Sequence, residues 1–376
     1  MKRLKLRVSR EERAWKIELR LNRRAVSWLW VQDRVWRIGS AEVRIGGIGG
    51  VGTRHGHRHK GYSRLCMNKS LELMKEKGME MSALFGISDF YPKWGFASAM
   101  AEPDIRISTR AAEESKPRRG HGIAAFDEGR HGKQVLEIYA ASNADRSGSI
   151  VRPPFSKWHP FRMGSDWGRR PEIFVIKGGK GLVLGYCVHD KSETDMTVAE
   201  VGFRDPAVFP TLTAELARRA VVRRTGEITA IMPLDHPYAE YLRRWNAHYK
   251  AWYSKNGSAM ARIILLEETL RKCAPVFSRR LLDSQFHAGR FSLGLATDIG
   301  DVTIHSDYAK VTIETGLHGQ MKARVPQSVL AQLLLGYRSV TDAATAEGVG
   351  IPAPAVGFLS ALFPTGSPFM WRPDRF

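Results

Sequence analysis

The chain has 376 residues, 43% of them hydrophobic, a formal net charge of +20 and three cysteines. It is too long for one ordinary compact domain, too apolar for wholesale disorder, and has no run of about 18 apolar residues to span a membrane. Cys66, Cys187 and Cys273 are scattered without a Cys-x-x-Cys pair, which argues against a disulfide framework or a cysteine-rich zinc site.

The basic start, Met1-Lys-Arg, runs into Glu11, Glu12 and Arg13 rather than the apolar core of a secretory signal, so a cytoplasmic protein is expected. The charge suits a polyanionic partner. Its basic residues are spread along the whole chain, however, with no aromatic–basic RNA motif. Nucleic acid is therefore not the favoured partner, and a generally basic soluble protein fits as well.

In chain order, Trp15 to Glu42 reads as strands and turns, with Gly39-Ser40 as punctuation. Val43 to Thr53 is strand-like but rich in glycine, which predicts a bulge or a close approach by a ligand or backbone. A basic loop, Arg54 to Lys60, leads into a helix from Tyr62 to Lys77. Tyr62, Leu65, Cys66 and Leu73 lie on one face of it, and Gly78 ends it. A strand over Glu80–Gly86 and an aromatic stretch, Asp89 to Phe96, follow.

The middle of the chain repeats this order. Strands are expected at Glu172–Lys177, Leu182–His189 and Thr197–Arg204, then a helix from Val208 to Arg224 capped by Gly226. A strand at Glu227–Pro233 and a short aromatic helix, His236 to Trp245, complete the series. This second copy has Arg204-Asp-Pro-Ala-Val in place of the basic glycine loop. Beyond it lie short strands around Phe291–Leu295, Asp301–His305 and Lys310–Glu314 and a helix from Val325 to Leu335 ended by Gly336. The tail stays apolar and aromatic to Phe376, which predicts that it docks into the protein, if only as a core anchor.

A basic glycine loop before a helix is an anion site in principle, because the first helical N–H groups lack internal partners and the dipole adds positive potential. In Arg58-His-Lys-Gly-Tyr-Ser63, Gly61 admits a phosphate to the backbone, Arg58 and Lys60 bring charge, and Ser63 a hydroxyl. Neither the P-loop nor the dinucleotide fingerprint fits. The loop resembles the acetyl-CoA loop of the GCN5-related N-acetyltransferase (GNAT) superfamily, Arg/Gln-x-x-Gly-x-Gly/Ala, on Arg58, Gly61 and Ser63. Phe90-Tyr-Pro-Lys-Trp-Gly-Phe96 and the ending Asp374-Arg-Phe376 resemble the Eis-like branch.

That resemblance implies an α+β chain of two GNAT-like domains in tandem, the second degenerate, followed by a sterol-carrier-protein-like (SCP2-like) α/β domain. The expected boundaries are 1–120, 121–272 and 273–376. The first domain is expected to lack its opening strand and two helices, about fifty residues in all. The resemblance further implies acetyl-CoA as co-substrate, no metal, and an amine-bearing small molecule or lysine side chain as acceptor in a hexameric assembly. Coenzyme would be held by Val51, Gly52, Thr53, Arg58, His59, Lys60, Gly61, Tyr62, Ser63, Arg64, Ile87 and Ser88, with Tyr91 as general acid and the α-carboxylate of Phe376 as general base. A base and an acid flanking the reacting centre are what direct amine attack on a thioester requires.

Three alternatives stand beside this. Tyr91 and Phe376 also read as core aromatics. His55, His57 and His59 alternate as metal ligands can, but lack a carboxylate or cysteine partner at the usual spacing. Without the acceptor-groove helices, the chain also reads as a non-catalytic coenzyme- or lipid-binding protein.

Overall fold

The computed structural model describes residues 4–87, 89–253 and 259–376. In chain order, β1 (Leu4–Glu11), β2 (Ala14–Leu21), β3 (Arg24–Ile38) and β4 (Ala41–Thr53) are followed by α1 (Tyr62–Glu76), β5 (Met81–Phe85) and β6 (Ala97–Ser98). Then come β7 (Glu102–Ser108), α2 (Thr109–Ala112), β8 (Gly122–Ala125), α3 (Glu128–Ser142), β9 (Pro171–Lys177), β10 (Val183–Asp190), β11 (Met196–Phe203), α4 (Phe209–Val222), β12 (Glu227–Ala230), α5 (Pro237–Leu242) and β13 (His248–Trp252). The last stretch holds β14 (Ala259–Ile263), α6 (Leu266–Leu282), β15 (Arg290–Thr297), β16 (Gly300–Asp307), β17 (Lys310–Thr315), β18 (Met321–Arg324), α7 (Gln327–Leu335), α8 (Val340–Ala343) and α9 (Ala353–Leu362).

Two compact units result: residues 1–100, 254–368 and 376 form one, and 101–253 with 369–375 the other. The first unit holds a seven-stranded sheet, β1-β2-β3-β4-β5-β14-β6, and a four-stranded sheet, β17-β16-β15-β18. Strands β1 to β4 form an antiparallel meander, β4 and β5 are parallel, and β14 runs antiparallel to β5. Helix α1 packs on this sheet through Cys66, Met67, Ser70, Leu73 and Met74, a stripe with helical spacing. Leu65, expected on that face, is 42% exposed: it sits one position short of the Cys66 row and turns to solvent.

The second unit is built on one sheet, β13-β7-β12-β11-β10-β9-β8, with β11 and β12 parallel. Its core gathers Phe174, Tyr186, Val198, Leu212 and Leu216, and takes in Phe369 and Trp371 of the tail. The expected docking of the tail is therefore observed.

The molecule is a mixed α/β chain with three sheets among the described residues. Three assignments change. Residues 102–108, read with the first domain, form the strand β7 of the second sheet, and residues 259–263, read with the second, pair with β5 in the first. Helix α4 ends through Arg224, whose φ of +53° supplies the left-handed turn expected of Gly226. Strand β1 precedes β2 with only Glu12 and Arg13 between them, and no α-helix precedes α1 among the described residues. No helix among the described residues is long and apolar enough to cross a membrane.

Candidate active site

The site starts from a fork in the first sheet. Strands β4 and β5 are paired from Ile45↔Met81 to Ile48↔Leu84, and beyond that β4 runs on to Thr53 without β5 beside it. On its other edge the register with β3 slips between Trp28↔Gly52 and Trp30↔Gly49, leaving a bulge at Gly50 and Val51. The bulge and close approach expected from the glycines are both present. A Cβ on Gly50 or Gly52 would lie 2.7 Å from the ring of Trp30 or Trp28.

Gly47 and Gly49 receive the end of the chain. A Cβ on Gly47 would stand 2.7 Å from ring carbons of Phe376, and one on Gly49 would stand 2.9 Å from its carboxyl carbon. Phe376 is 5% exposed, and its ring meets Phe85, the last residue of β5, edge-on at 5.9 Å. The α-carboxyl group thus sits over β4 where the fork opens.

Past Thr53 the chain makes one 3-10 turn at His55–His57 and enters α1 through Gly61, whose φ of +73° suits glycine. No side chain caps this helix and no acidic residue lies in its first turn. Among the described residues no protein acceptor is recorded for the N–H groups of His59 to Arg64, and a Cβ on Gly61 would meet nothing within 4 Å. Six consecutive donors and the positive end of the dipole therefore face open space.

That space is a pocket of about 630 Å³, lined by Thr53, His57, Arg58, His59, Gly61, Tyr62, Ser63, Arg64, Ile87, Phe90, Lys93 and Trp94. Its volume suits a cofactor-sized ligand. Its lining has three fixed cations, Arg58, Arg64 and Lys93, and no carboxylate among the described residues. His57 stacks on Tyr62 at 6.1 Å, and its buried Nδ1 has no partner among the described residues.

Eight of the residues expected to hold coenzyme are brought together here: Thr53, Arg58, His59, Gly61, Tyr62, Ser63, Arg64 and Ile87. Val51 and Gly52 belong to the fork and do not line the pocket. Lys60 is outside it too, its Nζ donating to Gly56 O at 3.1 Å. Ser88 lies outside the described residues. Sequence reasoning missed His57, Phe90, Lys93 and Trp94 as wall residues. Phe90 and Trp94 pack at 5.0 Å, with Lys93 over the Phe90 ring at 5.7 Å. The signal lies in the aromatic stretch after β5, Phe90 to Phe96, of which the sequence assigns a role to Tyr91.

Tyr91 is 8% exposed, opens the 3-10 helix Tyr91–Trp94, and covers Gly86, where a Cβ would collide with its ring. It is not a pocket-lining residue. Burial pushes its phenol above the ordinary tyrosine value, so it is a proton donor at neutral pH. Tyr91 and Phe376 thus meet adjacent residues, Gly86 and Phe85, at the end of β5.

The second unit builds the corresponding turn differently. Between β11 and α4, Asp205 caps the helix entrance, its Oδ1 accepting from Ala207 N at 2.7 Å, with Pro206 beside it. A carboxylate there accepts from one amide of the turn that leads into α4, where the loop before α1 has Gly61 instead. Another hollow, about 700 Å³ along β1 and β2, is lined by Lys5, Arg7, Arg20, Asn22 and Arg23 and has no helix N-terminus. No group of three His, Cys, Asp or Glu is placed to hold a metal among the described residues.

Comparison with known proteins follows the same line. Residues 3–99, which contain the fork, the loop and α1, match the acetyltransferase (GNAT) domain family. Among solved structures, a conserved Enterococcus faecalis protein, a probable N-acyltransferase, superposes with a TM-score of 0.80 at 16% identity over 100% of both chains. A GCN5-related N-acetyltransferase from Anabaena variabilis gives 0.75 at 15% identity, covering 96% of this chain and 89% of its own. Eis1 from Mycobacterium abscessus gives 0.67 at 17% identity over 96% and 91%. At such identities the likeness is one of fold. No curated protein sequence matches the chain.

Proposed function

We propose that this enzyme is an acetyl-CoA-dependent N-acetyltransferase of the Eis-like branch, working by direct attack in a ternary complex. The observation that carries this is the row of unpartnered amides from His59 to Arg64 in a pocket with three cations and no carboxylate, next to a fork holding a carboxyl terminus. The amides and cations suit the diphosphate of the coenzyme, and the backbone beyond Ile48 suits its pantetheine arm and thioester.

In this reading Phe376 and Tyr91 act on opposite sides of the thioester. The carboxylate of Phe376 takes a proton from the acceptor amine as its nitrogen attacks the thioester carbon. The C–N bond forms, the C–S bond breaks, and the leaving thiolate takes the proton of Tyr91. A terminal carboxylate is a weak base in water, with an intrinsic pKa of about 3.5, so its placement in a buried position matters to the role.

The acceptor class is an amine-bearing small molecule or a lysine side chain, and the assembly a hexamer in the cytoplasm. In this reading the catalytic domain is built on residues within 1–100, its degenerate copy on residues within 101–253, and the part of the chain from residue 273 to the base is SCP2-like. Calorimetric titration with acetyl-CoA and a thiol-release assay over an amine panel test the reading together. The expected result is tight coenzyme binding with amine-dependent thiol release. Binding without release on any amine would favour a non-catalytic coenzyme carrier.

A further inference from the structure

The tail before Phe376 is pinned at almost every residue. Phe369 N donates to Ser147 O at 2.9 Å, and Trp371 Nε1 donates to Asn143 Oδ1 at 2.8 Å. Arg372 and Arg375 both pair with Glu102, at 2.7 and 2.9 Å. The most unusual contact is at Asp374. Its carboxylate takes a two-point grip from Arg152, Nε at 2.7 Å and Nη2 at 3.0 Å, and a hydrogen bond from Tyr139 Oη at 2.8 Å.

The other side of Arg152 is held by Glu200, with Nη1 donating to Oε1 at 2.7 Å, and Tyr186 Oη donates to the same carboxylate at 2.6 Å. The guanidinium also lies 3.6 Å from the Tyr139 ring centre. The side chains of Arg152, Glu200 and Asp374 are at most 1% exposed. Burial works against the Arg152 charge, yet Asp374 and then Glu200 outweigh it and raise its pKa well above the ordinary value.

A fully buried ion triad is weak evidence for stability, because desolvation offsets much of its attraction; fixing one geometry is another role open to it. Here that geometry falls two residues before the chain end. Two residues reach at most about 7 Å, so a fixed Asp374 confines the terminal carboxylate to that distance.

We infer that Arg152, Glu200 and Asp374, with Tyr139 and Tyr186, are positioning residues that clamp the tail and so fix the carboxylate of Phe376. The inference rests on the reading of that carboxylate as general base. Its consequences divide cleanly: loosening the clamp frees the chain end and lowers turnover, while the pocket at Gly61 keeps its affinity for coenzyme.

The test uses the full chain with Asp374→Asn, and with Tyr139→Phe as the milder change should the first fail to fold. Two readouts are taken besides acetyl-CoA affinity: turnover, and the rate at which carboxypeptidase A releases Phe376. Loss of a charge-assisted hydrogen bond predicts release at least about tenfold faster and turnover about tenfold lower for Asp374→Asn, with coenzyme affinity within about twofold. Smaller changes of the same signs are expected for Tyr139→Phe. Unchanged release in a folded variant overturns the clamp; faster release with unchanged turnover overturns its positioning role. A chain lacking only Phe376 isolates the base reading: full turnover there would remove the base and leave the release experiment to judge the clamp.

Discussion

Gly61 shows how little a single position can tolerate at this site. Its φ of +73° is open to glycine and strained for other residues by about 1–2 kcal/mol, and nothing fills the space where a Cβ would point. Gly61→Asp adds a carboxylate among donors suited to a diphosphate, so coenzyme binding should be lost in calorimetric titration; retained affinity would move the diphosphate elsewhere. Tyr91→Phe removes only a hydroxyl from a buried ring. Turnover should fall by about 10²-fold, within the usual range for a general acid, with coenzyme affinity nearly unchanged. Equal turnover would take Tyr91 out of the chemistry. At this scale the sequence was legible where spacing sets the chemistry: Arg58, Gly61 and Ser63 all line the pocket. It was not legible for Phe90 and Trp94, because an aromatic residue beside a strand looks the same whether it walls a pocket or fills a core.

Strand β4 does two jobs along its length. Up to Ile48 it is an interior strand, and beyond that its bare edge and its glycines make room for Phe376. Gly49→Ala would put a methyl 2.9 Å from the carboxyl carbon, inside van der Waals contact, so the chain end must shift. Turnover should drop about tenfold or more, as a misplacement near 1 Å does, while coenzyme affinity changes little. A C-terminal extension should do the same by turning the carboxylate into an amide, and a fully active tagged enzyme would defeat the base assignment.

The order of strands, loops and helices in each repeat could be read from periodicity and glycine punctuation. Helix α6 could not, because Pro275 sits inside it and reads as a helix breaker. The strand partners of β7 and β14 were also hidden. Each is short, and its place is set by sheet edges far away in the chain rather than by its own residues.

At the scale of the whole molecule, charge serves different purposes in the two units. The pocket concentrates cations around donors, so coenzyme affinity should weaken as salt is raised. The second unit buries neutral histidines instead. Burial, the largest cause, lowers His189 to about 4 and His236 to about 3, with Arg219 and Arg146 adding to it. Both groups are depressed below the unfolded value of about 6.5, so their contribution is intact above that pH and lost as pH falls toward the folded values. Between pH 6.5 and 5 the two should together cost about 3 kcal/mol of stability, before carboxylates titrate. Denaturant unfolding at pH 7 and 5 measures this, and equal stabilities would mean that the two imidazoles are not held neutral.

The most direct trial of the catalytic account is a crystal structure of the enzyme with acetyl-CoA bound. The account predicts the diphosphate against the amides of residues 59–64 and the thioester carbon in the β4–β5 fork, within reach of the Phe376 carboxylate. Coenzyme bound away from that loop, or a thioester remote from the chain end, would contradict it.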